Sequence, residues 1–185
     1  MTLADKLTAM RIAATPLVVA LFAVSFHGHD YWATGVFCAA MSTDWFDGRV
    51  ARRSGRTSTF GSLLDPVADK VLVLATLCVL LDQHPFPAWM VAAIVAREIL
   101  INGLRLAALE RGIVIAARDL GKLKTWSQAV ATGAGGLAAA GAFTDSVAWW
   151  LLLVAVVLTW VSGIDYARAA PALFRGPPAA APQAP

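Results

Sequence analysis

Long apolar runs alternate with short polar clusters along this chain, at about the period of a bilayer crossing. The runs at 125–144 and 146–164 carry no charge except at their edges. Four more, at about 8–26, 31–53, 63–81 and 87–109, are apolar but charged towards one end. A bilayer span takes roughly 20 helical residues. Six helices joined by short connections therefore account for nearly everything, which predicts an all-α integral membrane protein. The charged ends are expected to project beyond the hydrocarbon on one side.

Composition narrows this further. With 58% hydrophobic residues, 15% charged residues and a mean hydropathy of +0.66, the chain is too apolar for an ordinary soluble domain. Its 185 residues suit one compact membrane domain, 1–176, followed by a Pro/Ala-rich tail, 177–185, that is expected to be disordered. No repeat of 20 to 50 residues is present. Cys38 and Cys78 sit in apolar runs without a CxxC or a nearby His, and read as small buried hydrophobes. Residues 1–26 carry Lys6 and Arg11 ahead of an apolar stretch, as a signal peptide would. Pro16 interrupts that stretch and no small-residue cleavage site follows, so a retained first span is expected. Gly133, Gly135, Gly136 and Gly141 lie among alanines in the fifth run, a composition that permits close helix packing, within the chain or at a dimer seam.

Charge sets the topology. The fifteen Lys and Arg residues gather at the N-terminus, around the second-to-third and fourth-to-fifth connections, and at the C-terminus. With six spans these all fall on one side. The opposite connections hold His27, His29, Asp30, Asp82, His84 and Asp145, without Lys or Arg. The positive-inside rule then places both termini and both basic loops in the cytoplasm. The net charge of +3 is read as this topology signal, and no nucleic-acid partner is expected.

One polar cluster on that side carries candidate chemistry: Asp44-x2-Asp47-Gly48-x2-Ala51-Arg52-x8-Gly61-x3-Asp65-x3-Asp69. Asp44, Asp47, Gly48 and Ala51 stand at i, i+3, i+4 and i+7, so they share a helical stripe with two carboxylates and little bulk beyond them. Gly61, Asp65 and Asp69 stand at i, i+4 and i+8, again on one face, drifting by about 80°. A short connection makes the two helices antiparallel neighbours, so four carboxylates can converge beside a glycine-lined slot. Near a low-dielectric boundary they cannot all ionise uncompensated. Divalent cations would compensate them, and oxygen-only ligation favours two Mg²⁺ or Mn²⁺ ions, with Ca²⁺ as an impostor. Two such ions would clamp a diphosphate and neutralise its leaving group. Gly48, Ala51 and Gly61 leave room for a flat nucleotide, and Arg52 can pair with phosphate. Acidic residues at helix ends often merely pair with neighbours such as Arg49, Arg52, Arg53 and Arg56. Eight positions matching one pattern by chance is, however, on the order of 10⁻¹⁰ per starting point.

This pattern resembles, without gap or substitution, the signature of the CDP-alcohol phosphatidyltransferases. The resemblance implies six transmembrane helices, a homodimer, and metal binding by Asp44, Asp47 and Asp65. Asp69 would complete the metal site and act as general base towards the incoming alcohol. Attack on the phosphorus bearing diacylglycerol would then expel CMP.

The acceptor must be read from other residues. Arg97, Glu98 and Arg105 lie in the cytoplasmic half of the fourth helix, and Gly121-Lys122-Leu123-Lys124-Thr125 leads into the fifth. Arginine inside a membrane helix is costly and tends to face a wet cavity. Arg97, Arg105, Lys122 and Lys124 are thus candidates to hold a phosphate on the acceptor. Contact with anionic lipid or topology signalling is the plainer alternative, and the one preferred for Arg111, Arg118 and Arg175. Leu64-Asp65-Pro66-Val67-Ala68-Asp69-Lys70, Ala96-Arg97-Glu98-Ile99, Gly103-Leu104-Arg105 and the Gly121–Thr125 segment resemble the bacterial phosphatidylglycerophosphate synthase branch. That branch implies CDP-diacylglycerol and glycerol 3-phosphate as substrates and the bacterial inner membrane as location, with the site facing the cytoplasm. The likeness runs from about residue 7 to 128, and it departs at Asn102, where a small serine is usual, and at Arg49. Rival readings are a relative using inositol phosphate or phosphatidylglycerol (giving cardiolipin), a membrane prenyltransferase, and a divalent-cation carrier. A prenyltransferase would carry Asp-rich segments on separate helix pairs, and a carrier would spread acidic residues through the membrane depth.

Overall fold

The computed structural model describes the backbone of residues 3–54, 59–83, 86–110, 119–142 and 144–168, and the side chains at 9–42, 70–82, 86–108, 110, 120–142 and 144–168. Those residues form six helices: α1 (Leu3–Ala23), α2 (His29–Ser54), α3 (Thr59–Gln83), α4 (Ala88–Glu110), α5 (Asp119–Ala139) and α6 (Asp145–Arg168). Each apolar run matches one helix. The predicted tail, 177–185, lies outside the described residues. Among the described residues, α6 is the one helix long and apolar enough to cross a bilayer on composition alone, with a mean hydropathy of 2.2.

Helix ends differ from the apolar runs for local reasons. The fifth run extends to 144, but α5 stops at Ala139. Gly141 adopts a φ of +76° there, a conformation that glycine enters without a Cβ penalty. Its amide donates to the Ala138 carbonyl at 2.8 Å, and the Ala142 amide reaches back to Leu137 at 2.9 Å. These two bonds cap the last carbonyls in a Schellman arrangement. Thr144 and Asp145 then open α6, as residues favoured at helix starts, and the Val147 amide donates to the Thr144 carbonyl at 2.9 Å. Pro16 interrupts the apolar pattern but not α1, which continues through it. Transmembrane helices tolerate proline where nearby groups re-satisfy the backbone. In this turn, the Thr15 hydroxyl donates to the Arg11 carbonyl at 3.1 Å.

The core draws on all six helices, with Val18 and Phe22 from α1, Phe37 from α2, Leu72, Leu77 and Leu80 from α3, Met90 and Ile94 from α4, Ala131 from α5, and Leu152 from α6. Helix α5 is the central element. It packs against α2, α3 and α6, and its residues 131–136 are buried without a break. Enclosed over that stretch, the helix needs small residues to let its neighbours approach, which accounts for its glycines there. A Cβ on Gly135 would collide with the Phe86 ring and lie 3.2 Å from Leu80 Cδ1. On Gly136 it would collide with the Thr34 hydroxyl and lie 3.2 Å from Phe22 Cζ. The glycine pair therefore serves packing within the chain. Gly135→Ala should destabilise the protein by about 1–3 kcal/mol of overpacking, only partly offset by better helix propensity. Gly133→Ala, whose Cβ would meet Cys38 Sγ at an ordinary 3.5 Å, should be neutral or stabilising. Thermal unfolding of both variants in detergent checks the contrast.

Cys38 and Cys78 are free, and both are exposed rather than buried as expected. Their spans present apolar residues outward as well as inward, so hydropathy alone does not separate the two faces. Exposed tryptophans fall in two bands. Trp32, Trp89 and Trp150 stand near the starts of α2, α4 and α6, while Trp126 near the start of α5 and Trp160 near the end of α6 mark the other side. Such belts are the usual place for tryptophan at membrane–water interfaces.

Candidate functional site

The eight signature positions occupy two helices in sequence. Asp44, Asp47, Gly48, Ala51 and Arg52 lie in the last turns of α2, and Gly61, Asp65 and Asp69 in the first half of α3. Their side chains, with that of Arg49, lie outside the described residues. Backbone placement alone puts the two carboxylate stripes at the end of the bundle where α2 finishes and α3 begins. Among the described residues, no three His, Cys, Asp or Glu side chains assemble as a metal site.

The side-chain description resumes at Lys70, immediately after Asp69, and Lys70 leads into a buried polar cluster. Glu98 of α4 is its centre and is 2% exposed. Its Oε1 accepts from three donors: Lys124 Nζ of α5, Arg97 Nη1 at 3.1 Å and Gln128 Nε2 at 3.5 Å. Its Oε2 lies 3.8 Å from Lys70 Nζ and has no hydrogen-bond partner among the described residues. Lys70 Nζ donates instead to Asn102 Oδ1, one turn along α4. Among the described residues, three cations thus surround one carboxylate, leaving two positive charges in excess.

Helix α6 closes the far side. Arg97 Nη2 donates to Ser162 Oγ at 3.2 Å, and Gln128 Nε2 donates to Thr159 Oγ1 at 2.8 Å. Thr159 and Ser162 stand at i and i+3, so they share a face. A Cβ at Gly163 would lie 2.9 Å from Arg97 Nε, which shows how tightly the guanidinium lies on that backbone. Arg97 Nε itself is buried without a hydrogen-bond partner among the described residues. Such groups are expensive in a low-dielectric interior and commonly await a ligand or water.

Two of the four predicted acceptor residues, Arg97 and Lys124, meet directly at Glu98. Arg105 shares a stripe with Glu98 and Asn102, at i+7 and i+4, and its guanidinium lies 5.9 Å from the Tyr166 ring centroid, in cation–π range. Lys122 is exposed, while Lys124, two residues on and so on another face, is buried. Gly121 and Thr125 pack locally, with the Thr125 hydroxyl donating to the Gly121 carbonyl at 3.1 Å. Glu98, Lys70, Gln128, Thr159 and Ser162 received no site role from the sequence. The available signal was polarity inside apolar runs, since Thr159, Ser162 and Gly163 break the apolar character of one face of α6.

The cluster joins four helices. Lys70, near the middle of α3, meets Glu98, near the middle of α4, which meets Lys124 in the first turns of α5, while Arg97 reaches Ser162 in the later turns of α6. The first half of α5 and the later part of α6 come together, so these two helices run antiparallel. Lys70 follows Asp69 directly in α3, which ties the cluster to the signature segment.

Comparison with known proteins gives the same assignment as the signature. A model of the CDP-alcohol phosphatidyltransferase family matches residues 1–161. A Bacillus subtilis protein named CDP-diacylglycerol–glycerol-3-phosphate 3-phosphatidyltransferase is 38% identical over 183 aligned residues, covering 89% of this chain and 92% of its own. Proteins of the same name from Escherichia coli K12 and Shigella flexneri serotype 5b are 39% and 40% identical over 169 residues, with the same coverage. With the family pattern spanning most of its length and the eight signature positions in place on α2 and α3, this chain belongs to the CDP-alcohol phosphatidyltransferase family.

Proposed function

We propose that this protein is a CDP-diacylglycerol–glycerol-3-phosphate 3-phosphatidyltransferase, making phosphatidylglycerophosphate for phospholipid synthesis. The names of the relatives support this reading, and one observation in the chain itself carries it. Lys70, the residue after Asp69, meets the Arg97–Glu98–Lys124 cluster, and so sets a buried excess of positive charge beside the carboxylate stripe. An acceptor that carries its own phosphate would use that excess, whereas serine, a zwitterion without net charge, or an uncharged alcohol would not.

Asp44, Asp47, Asp65 and Asp69 would hold the metal ions. Their all-carboxylate donor set fits a hard divalent cation such as Mg²⁺ or Mn²⁺. When bound, such ions supply charge neutralisation at the diphosphate. Gly48, Ala51 and Gly61 leave space for the cytidine, and Arg52 pairs with its phosphate. Asp69 takes the proton of the acceptor hydroxyl as that oxygen bonds to the phosphorus bearing diacylglycerol. The bond from this phosphorus to the oxygen of CMP breaks, and CMP leaves with the electron pair. Arg97 and Lys124 hold the acceptor phosphate, with Arg105 and Lys122 nearer its rim. Positioning and charge complementarity do most of the catalysis.

The enzyme is proposed to act as a homodimer of six-span subunits in the bacterial inner membrane, termini and active site facing the cytoplasm. The one-sided placement of Lys and Arg and the two tryptophan bands support the topology. The homodimer is what the family resemblance implies.

The test is CMP release from CDP-diacylglycerol and Mg²⁺ with glycerol 3-phosphate, inositol phosphate, serine and phosphatidylglycerol offered separately. Glycerol 3-phosphate is expected to be the productive acceptor. Release with inositol phosphate alone would replace this reading by that of the inositol-phosphate relative.

A further inference from the structure

We propose that Glu98 is a positioning residue for the acceptor phosphate, gathering Lys70, Arg97 and Lys124 from three helices into one dianion-sized receptor. The proposal rests on the acceptor reading above and adds a residue that reading does not contain. A carboxylate is at first sight the wrong group to find in an anion site. Its geometry explains its presence.

Among the described residues, the three hydrogen-bond donors to Glu98, namely Lys124, Arg97 and Gln128, converge on Oε1, while Oε2 accepts none. This carboxylate is not saturated, as one serving only to neutralise a cation would be. It ties Lys124 and Arg97 together through one oxygen and turns the other towards Lys70 at 3.8 Å. Without that negative centre, the buried Arg97 and Lys124 and the half-buried Lys70 repel one another. The two lysines, on flexible stems, would move apart towards water. With it, they stay close while two positive charges remain uncancelled, the charge of a phosphate monoester with reversed sign.

The cluster is held from outside as well. Gln128 is fixed by Thr159 at 2.8 Å, and Arg97 by Ser162 at 3.2 Å and by the bare backbone of Gly163. Arg97 Nε, buried without a hydrogen-bond partner among the described residues, lies against that backbone, so the guanidinium is fixed along its α6 side. Asn102 holds Lys70 on the side of Asp69. Glu98 touches neither reacting oxygen nor phosphorus in this scheme and acts through the cations it arranges.

Kinetics of Glu98→Gln in detergent or vesicles, with each substrate varied separately, test the proposal. The substitution keeps shape and an accepting oxygen but removes the charge. The KM for glycerol 3-phosphate should rise about tenfold or more, with the KM for CDP-diacylglycerol within about twofold of wild type. Glu98→Asp should recover part of the acceptor affinity. Gly163→Ala provides an independent arm, since it displaces Arg97 without altering any charge. Its acceptor KM should rise about threefold or more, because small misplacements of a positioning group are costly. An unchanged or lowered acceptor KM in Glu98→Gln would overturn the proposal, as would a parallel rise in both KM values. Should Glu98→Gln fail to fold, an unchanged acceptor KM in Gly163→Ala would overturn it. If the wild type itself does not use glycerol 3-phosphate, the acceptor reading fails instead, and the two failures are told apart in the same experiment.

Discussion

Replacing Asp69 by Asn is expected to abolish turnover while leaving CDP binding largely intact. Asn keeps the size of the side chain and one coordinating oxygen, but cannot take a proton from the acceptor hydroxyl. A general base contributes about 10²–10⁴ in rate, and in the proposed site the same carboxylate would also complete the metal set, so a loss of at least about 10³ in kcat is expected. CMP release and equilibrium binding of CDP, measured on the same preparation, separate the two roles. Turnover retained within about tenfold of wild type would remove Asp69 from the base role. Loss of CDP binding alongside turnover would make it a metal ligand first.

Chelation should have a comparable effect. EDTA is expected to reduce CMP release to background, and Mg²⁺ or Mn²⁺ in excess should restore it. The reason is electrostatic: in the proposed site Asp44, Asp47, Asp65 and Asp69 would bring four carboxylates to a low-dielectric boundary, where a diphosphate would add further negative charge. Binding of the nucleotide and of the ions should therefore be mutually dependent, each tightening the other. Titration of CDP at several Mg²⁺ concentrations reads that coupling directly. Full activity in EDTA would exclude a divalent requirement and with it the role given to the four aspartates.

How far the sequence reaches depends on whether a feature is periodic or assembled. Six apolar runs predict six helices because each run must satisfy its own backbone. Their ends are less legible: α5 stops at Ala139 rather than at the end of its apolar run, because the left-handed Gly141 and two capping bonds outweigh continued apolarity. The signature on α2 and α3 is readable because its members are close in sequence and rare in combination. The cluster around Glu98 is assembled from α3, α4, α5 and α6, and no spacing rule links Lys70 to Asn102 or Arg97 to Ser162. Arg97 and Lys124 were readable as costly charges in apolar surroundings. Their organiser was not, since one Glu beside one Arg reads as a local ion pair. Likewise Cys38 and Cys78 read as core residues because hydropathy does not record which way a membrane helix faces.

Helix α6 shows what that blindness hides. Val154, Val157, Trp160, Val161 and Ile164 are exposed and need only be compatible with apolar surroundings. Thr159, Ser162 and Gly163, in the same turns, back the guanidinium and the amide that shape the charged pocket. The most apolar helix of the protein is thus two surfaces in two solvents. Drift on the outer one is free within the limits of hydrophobicity, so Val157 can become Leu or Ile at little cost. On the inner one, a single methyl group added at Gly163 would press on Arg97 and so on the proposed acceptor site, whose other groups belong to other helices. A substitution here would leave every hydropathy profile untouched, and would be felt first as a weaker grip on a water-soluble substrate.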